Sequence, residues 1–571
     1  MLNQYYEQEL HHLRQVAAEF GKRNPALAPL LGSNASVDSD VERLLEGVAF
    51  LTGLVRQRLD DDFPELIQSI AQLLFPHFLR PLPCMTIMQY GLRAQADQVV
   101  HVPVDTSFAA VNQQDQRLMF SSRYPVWVEP LSVADAFWET DVRTGERRSL
   151  VLSLRYQGGD QAWQGDKLRF WLGGGYSLGS RLYRLLLHHA THIWIEDSAL
   201  NRVQLPLSSL SPMGFDSEHM LLPWPQGAHP TWRVLYEYFA FPEKFLFFEL
   251  GQLDRWQKRS GNSFKIRFGF DSLPSWAPEI EKSNFVLHAS PAVNVYALDA
   301  QPLHVDFRQP EYRVHVAGQN QNQRQIFSID QVIGRLQDGT EKQYQPFGYF
   351  ANTNPSYHIR LRSSAISYET EHFISLPRSG VEDRATKTLS IALSCTDGEL
   401  PNAIRLGEIS QPTDQTPTRI HFENIIGVTP YCPPSTDNDL LWRVLSHLQA
   451  NQNNLLSAEY LQSLLTLYLP NSKRDTHHYA AAVKQISSIQ AVRVKPLRKM
   501  VRGMLIEGSQ VTVECAGDHF SGPGSLYVFG AVLNEFLSGN ITINTFVSLQ
   551  VHDTVNGETL EWPMRKGKHQ L

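Results

Sequence analysis

The sequence predicts a multidomain α+β protein with a helical N-terminal region, a β-rich, sandwich-like middle and an α/β C-terminal domain. Three observations lead there. Near both ends of the chain, apolar residues recur every three or four positions, which is the helical period. Between them, short runs rich in Val, Ile, Leu, Thr and aromatics are cut by clusters of Gly, Pro, Asn and Asp. The 571 residues, 42% apolar and 19% charged, make a globular composition long enough for two to four domains of about 150 residues. The expected division is 1–83 helical, 84–428 β-rich and read as two domains, 429–436 a Pro-rich linker, and 437–571 α/β.

Tyr6, Leu10, Leu13, Val16/Ala17 and Phe20 place one apolar stripe on a first helix, which Gly21 and Pro25 end. A second helix opens at the capping box Ser39-Asp40-Val41-Glu42. Its expected buried face is Val41, Leu44, Leu45, Val48, Leu51, Val55 and Leu59. Asp62 caps a third helix through Leu66, Ile67, Ile70, Leu73 and Leu74, stopped by Pro76 and the Pro81/Pro83 pair. Strands are expected at Leu150–Tyr156, Lys167–Leu172, Phe264–Phe270, Phe285–Leu287 and Tyr312–Val316, with a helical insert near Leu178–His189. Past the Pro/Thr-rich stretch ending at Pro434, helical periodicity returns in Leu440/Leu441, Val444/Leu445 and Leu448. A further run from Leu455 to Tyr468 repeats it. The last segment reads as strands near Val511–Val513 and Ile541–Leu549 around a helix Ser525–Leu537.

The formal charge, 51 minus 58 or −7, gives no global attraction for nucleic acid or anionic lipid. Cys84, Cys395, Cys432 and Cys515 are scattered, so neither a disulfide framework nor a structural zinc module is expected. The opening residues lack a basic and an apolar signal region, and no apolar run reaches the length of a membrane helix. The expectation is a soluble, intracellular protein with no direct membrane insertion.

Enzyme signatures are sparse. Gly175-Tyr176-Ser177-Leu178-Gly179 fits GxSxG formally, but the surroundings are β-dominated rather than alternating strands and helices, so a glycine-rich turn is the better reading. Gly173 to Gly179 fails both the dinucleotide and the Walker spacing. His188 and His192 would share a helix face, yet the acidic ligand or base of an HExxH-type pattern is missing. Asp60-Asp61-Asp62 with Glu65 are explained by a helix start. A glycosidase reading would pair Glu237 with Glu243 or Asp254. The aromatic stretch Trp232–Pro242 reads as core in preference to interface. No catalytic, cofactor or metal residue is assigned. The candidate partner-interface residues are Tyr6, Leu10, Leu13 and Phe20 on one stripe, and Leu441, Trp442, Leu445 and Leu448 on the other. Each stripe either joins partner helices or packs internally.

Taken together, long ordered segments resemble one family, the TssF (ImpG, VasA) baseplate subunits of bacterial type VI secretion systems. They include Tyr5-Tyr6-Glu7, Val41-Glu42-Arg43-Leu44-Leu45-Glu46, Leu59 to Leu66 and Leu74-Phe75-Pro76-His77-Phe78-Leu79-Arg80-Pro81. Further along stand Glu237 to Phe245, Ser290-Pro291-Ala292-Val293-Asn294, Cys395-Thr396, Leu441 to Leu448, Asn544-Thr545-Phe546 and Trp562-Pro563. The chain departs from the pattern at Ala450–Asn454, at Thr545, and at Asp397, where the family usually has Asn. The resemblance implies a structural, non-enzymatic role without cofactors. Two such subunits pair with one TssG-like subunit in a wedge. Wedges join TssK-like and TssE-like proteins around a VgrG-type hub at the cytoplasmic face of the inner membrane and prime the contractile sheath. The rival readings are a cytosolic hydrolase and a carbohydrate- or peptide-binding β-sandwich.

Overall fold

The computed structural model describes residues 10, 43, 46–51, 68–93, 98–112, 114–140, 147–158, 162–225, 228–318, 324–336, 339–347, 355–363, 370–377, 387–434, 457–470, 476–501, 504–541 and 545–567. Strand outweighs helix among them, and the strands fall into several sheets. The helices with both ends described are α1 (Tyr176–Arg184), α2 (Pro230–Ala240), α3 (Ala458–Leu467), α4 (Thr476–Ser487) and α5 (Pro523–Gly539).

Most of the expected N-terminal helical region lies outside the described residues. Those described are helical at 10, 43, 46–51 and 68–74, ahead of a short turn at Pro76–Leu79. Their buried face differs from the periodic reading: Ala49 and Ala71 are buried, whereas Val48, Leu51 and Leu74 are exposed. Docking geometry accounts for Ala71. The Gln68 side chain bonds both backbone groups of Leu361, at 3.1 Å to its carbonyl and 3.4 Å from its amide. That brings the helix close to the strand, and only a small side chain fits between, so Ala71 packs on Leu79 and Leu361.

The middle holds three β modules. A six-stranded antiparallel sheet runs in the order Gln411–Pro412, Ser107–Val111, Arg117–Ser122, Ala289–Val293, Met85–Leu92, Ile420–Asn424. A five-stranded sheet centred on Ser263–Phe270 and a four-stranded sheet centred on Phe247–Leu250 and Leu168–Leu172 share a second core. The third module closes on itself. Lys387–Thr396 pairs with Gln325–Leu336 on one side and with Tyr296–Asp299 and Leu303–Val305 on the other. The far edge, Tyr312–Arg313 on Thr370–Ser375, continues into an Ala300↔Val316 bridge. Among the described residues that bridge closes the ring, and Val305, Val332, Leu389, Ile391 and Leu393 fill it. Barrel closure has no local sequence signature. Residues 429–434 lie along the first strand: the Thr429 amide donates to the Met85 carbonyl at 2.8 Å, and Cys432 bridges Leu82.

The C-terminal sheet runs Ile489–Val501, Met504–Cys515, Thr545–Asp553, Thr559–Glu561. Its second and third strands are parallel, as a helical crossover requires, and α5 supplies the crossover. Pro523 starts α5, where its missing N–H costs nothing. α5 is apolar on nearly all sides and almost wholly buried, at the centre of a core that reaches from Phe75 to Trp562. A Cβ on Gly524 would stand 2.2 Å from the Ser180 backbone, so glycine is what lets α5 start against α1. The stretch read as aromatic core, from Trp232, is the helix α2, packed against α5. It was not anticipated as a helix, because its apolar residues wrap the axis and blur the period.

Candidate assembly surfaces and internal clamps

The motif Glu237 to Phe245 builds a buried ionic knot. α2 carries Arg233 and Glu237 one turn apart, and the short helical turn Pro242–Leu246 returns Lys244 beside them. Arg233 Nη1 donates to Glu237 Oε2 at 3.1 Å, and Lys244 Nζ donates to the same oxygen. The other oxygen accepts the Leu221 and Leu222 amides at 2.7 and 3.2 Å. Arg233 Nη2 spends its donors on the Phe215 and Asp216 carbonyls, at 2.7 and 2.9 Å. Burial alone would push the Glu237 carboxyl up, but Lys244 and Arg233 outweigh it and hold the group below the usual carboxylate range. The knot fastens the loop 215–222 to α2. A glycosidase acid pair is not formed here: Glu237 is sealed among cations, Glu243 lies outside the knot, and Asp254 is exposed.

The motifs Ser290 to Asn294 and Cys395-Thr396 meet at a second clamp, between the six-stranded sheet and the barrel. Asn294 Oδ1 accepts the Thr396 hydroxyl at 2.6 Å and the Asp397 amide at 2.8 Å. Its Nδ2 donates to the Met119 carbonyl and to Asp397 Oδ2, both at 2.7 Å. Asp397 also accepts the Met119 amide at 3.1 Å and the Tyr296 hydroxyl at 2.5 Å. Burial raises its carboxyl above the ordinary value, with these neutral donors pulling the other way. A third motif residue, His77, is buried against Trp224, at 4.6 Å between rings, and against Tyr468. Neither of its ring nitrogens has a hydrogen-bond partner among the described residues.

The remaining chemistry candidates fall as follows. Gly173–Gly175 turns the strand Leu168–Leu172 into α1, with φ of 91° at Gly174 and 87° at Gly175, the left-handed region that glycine favours. Ser177 donates to the Ser521 carbonyl at 3.0 Å, not to a histidine. The cleft of about 960 Å³ beside this turn is lined by Gly173–Gly175, Tyr90, His288 and His421, without Ser177. The expected His188–His192 helix face does not form. The helix widens into a π turn at Leu185–His189 and passes into the strand Ala190–Asp197, where His192 stacks on Trp194.

Of the candidate interface residues, Leu10 is helical and buried. Tyr6, Leu13, Phe20, Leu441, Trp442, Leu445 and Leu448 lie outside the described residues, as do Asp60–Asp62. Sequence reasoning missed the apolar groups that are exposed. On residues 46–51, Val48, Phe50 and Leu51 face solvent, the last two 45% and 63% exposed. At the end of the long hairpin Ile489–Val501/Met504–Cys515, Met500 and Leu505 oppose each other, 73% and 63% exposed. Lys495, Pro496, Arg498 and Lys499 line that edge strand, the charges and proline that discourage indiscriminate strand pairing.

Motif residues spent on holding modules together, with large apolar side chains left outside, are the make-up of an assembly subunit. The chain belongs to the type VI secretion system TssF family, which it matches over residues 1–569. It is 27% identical to the type VI secretion system component TssF1 of Pseudomonas aeruginosa, across 99% of this chain and 98% of that protein. A chain solved in the TssK-TssF-TssG baseplate subcomplex superposes with a TM-score of 0.79 at 25% identity, covering 93% of this chain and 99% of its own. A chain from a type VI secretion baseplate complex shares the fold over the full length of both, with a TM-score of 0.63 at 24% identity.

Proposed function

We propose that the chain is a structural subunit of the type VI secretion baseplate, assembling with TssG-like and TssK-like subunits and acting by geometry rather than by turnover. The observation that carries this is the nearly full-length superposition on a chain solved within a TssK-TssF-TssG subcomplex. In this reading two copies of the chain join one TssG-like subunit in a wedge, and wedges gather TssE-like proteins around a VgrG-type hub. The assembly stands in the cytoplasm, at the face of the inner membrane. The stripes Tyr6/Leu13/Phe20 and Leu441/Trp442/Leu445/Leu448 are its helical contacts, whereas Leu10, buried within the chain, packs internally. Val48, Phe50 and Leu51 support the N-terminal contact, because covering a Phe or Leu side chain contributes about 1.5–3 kcal/mol.

Co-expression with the cognate TssG-like protein, followed by native mass measurement, tests the reading. A two-to-one complex is expected. The double substitution Phe50→Asp, Leu51→Asp should remove that complex while changing the stability of the chain alone by no more than about 0.5 kcal/mol. A monomer that stays folded beside its partner overturns the scaffold reading.

A further inference from the structure

We propose that His188, His189 and Glu558 form a binding site for a divalent transition ion of the zinc type. No acid stands between the histidines in the sequence as it does in HExxH, and the fold supplies one from the far end of the chain. Among the described residues this is the place where three such donors converge, one ligand atom from each, all within 4.8 Å of one another.

The π turn sets up the two imidazoles. Its wider winding ends α1 on consecutive histidines whose rings stand 4.9 Å apart and nearly perpendicular, at 86°. Glu558 follows the turn that joins Thr545–Asp553 to Thr559–Glu561, and its backbone is fixed by the Asp553 amide at 2.8 Å. Among the described residues none of the three side chains hydrogen-bonds to another, and the two imidazoles meet edge to face. Nitrogen and oxygen ligands about 2.0–2.1 Å from a tetrahedral zinc lie about 3.3 Å apart, which small side-chain rotations reach from here.

A further observation points to a missing ligand. His189 keeps its Nε2 buried without a hydrogen-bond partner among the described residues. Arg184 serves as the outer support. It is buried, it binds Glu558 Oε1, and its guanidinium stands 4.8 Å over the Trp276 ring. That leaves the second carboxylate oxygen for the ion and fixes its direction. Two imidazole nitrogens and one carboxylate oxygen form a donor set that favours zinc-type ions over calcium or magnesium. His188 is exposed, so a water completes the coordination. A bound ion would tie the end of α1 to the C-terminal sheet.

The test uses the full chain, stripped with a chelator and titrated with Co²⁺ and then Zn²⁺. Cobalt absorption in the visible and calorimetry read the site. One saturable equivalent is expected, with a rise in melting temperature. His188→Ala, on an exposed side chain, should weaken binding by at least the roughly 10-fold cost of losing an outer-shell partner. Glu558→Gln, which can still accept from Arg184, should do the same. His477→Ala with His478→Ala should leave binding unchanged. Binding that survives His188→Ala, or no saturable binding of either ion, overturns the proposal.

Discussion

Glu237 and Asp397 are both buried carboxylates in segments that carry the family resemblance, and the fold treats them in opposite ways. Glu237 sits in the core around α2 and α5 with two cations and two backbone amides, and its carboxyl is held low. Asp397 sits at the seam between the six-stranded sheet and the barrel with only neutral donors, and its carboxyl is raised. The first arrangement needs its charge, because two cations would otherwise face each other without compensation. The second needs only the shape and the acceptors, and tolerates its charge at a cost. A motif-dense segment can thus mark a clamp whose chemistry is indispensable or one whose geometry alone matters.

The largest expected effect tests the first half of that contrast. Glu237→Gln keeps the shape but leaves Arg233 and Lys244 buried without their anion, and should cost about 3–5 kcal/mol. Denaturant unfolding of the full chain measures it. A loss below about 1 kcal/mol would place Glu237 with Asp397 as a geometric clamp.

A smaller effect comes from His77, whose pKa burial lowers to about 3, with Arg80 adding to it. The folded state keeps it neutral, whereas the unfolded chain protonates it below about 6.5. Between those values the unfolded state binds more protons, so stability falls as pH drops through this window. From pH 7 to pH 5 this group alone contributes about 2 kcal/mol of loss. His77→Phe, which retains the ring contacts with Trp224 and Tyr468, should flatten the dependence of melting temperature on pH. An unchanged slope would show that the site is hydrated rather than sealed.

Much of this architecture was legible in the sequence where the signal is local. Phe285–Leu287 and the helix after Gly522-Pro523-Gly524 stand where turn residues and periodicity put them. Three features were not legible. α2 hides its period because apolar residues cover its circumference. The barrel depends on pairing between strands far apart in the chain. Glu558 reaches Arg184 across 374 residues, so no spacing rule could join it to the histidines. The exposed Val48 and Leu51 mislead in another way, since periodicity reports which face is apolar and not whether this chain covers it.

The smallest expected effect is the sharpest test of the contrast. Asn in place of Asp397 keeps the shape and one acceptor oxygen while removing the charge. As an acceptor its oxygen can take the place of Oδ2, receiving Asn294 Nδ2 and the Met119 amide. Its nitrogen would then face the Tyr296 oxygen, which can rotate its hydrogen away and accept. Every bond survives with one direction reversed, and the buried charge is gone. Asp397→Asn should therefore change stability by less than about 1 kcal/mol near neutral pH, on either side of zero. The pH profile separates the outcomes further. A raised carboxyl binds its proton more readily in the folded state, so its contribution improves as pH falls through that raised value and is lost as pH rises. Asp397→Asn should remove this acid-side gain and leave the opposing loss from His77 steeper. A destabilisation near that of Glu237→Gln would mean that the seam also depends on charge, and the two clamps would then be one kind.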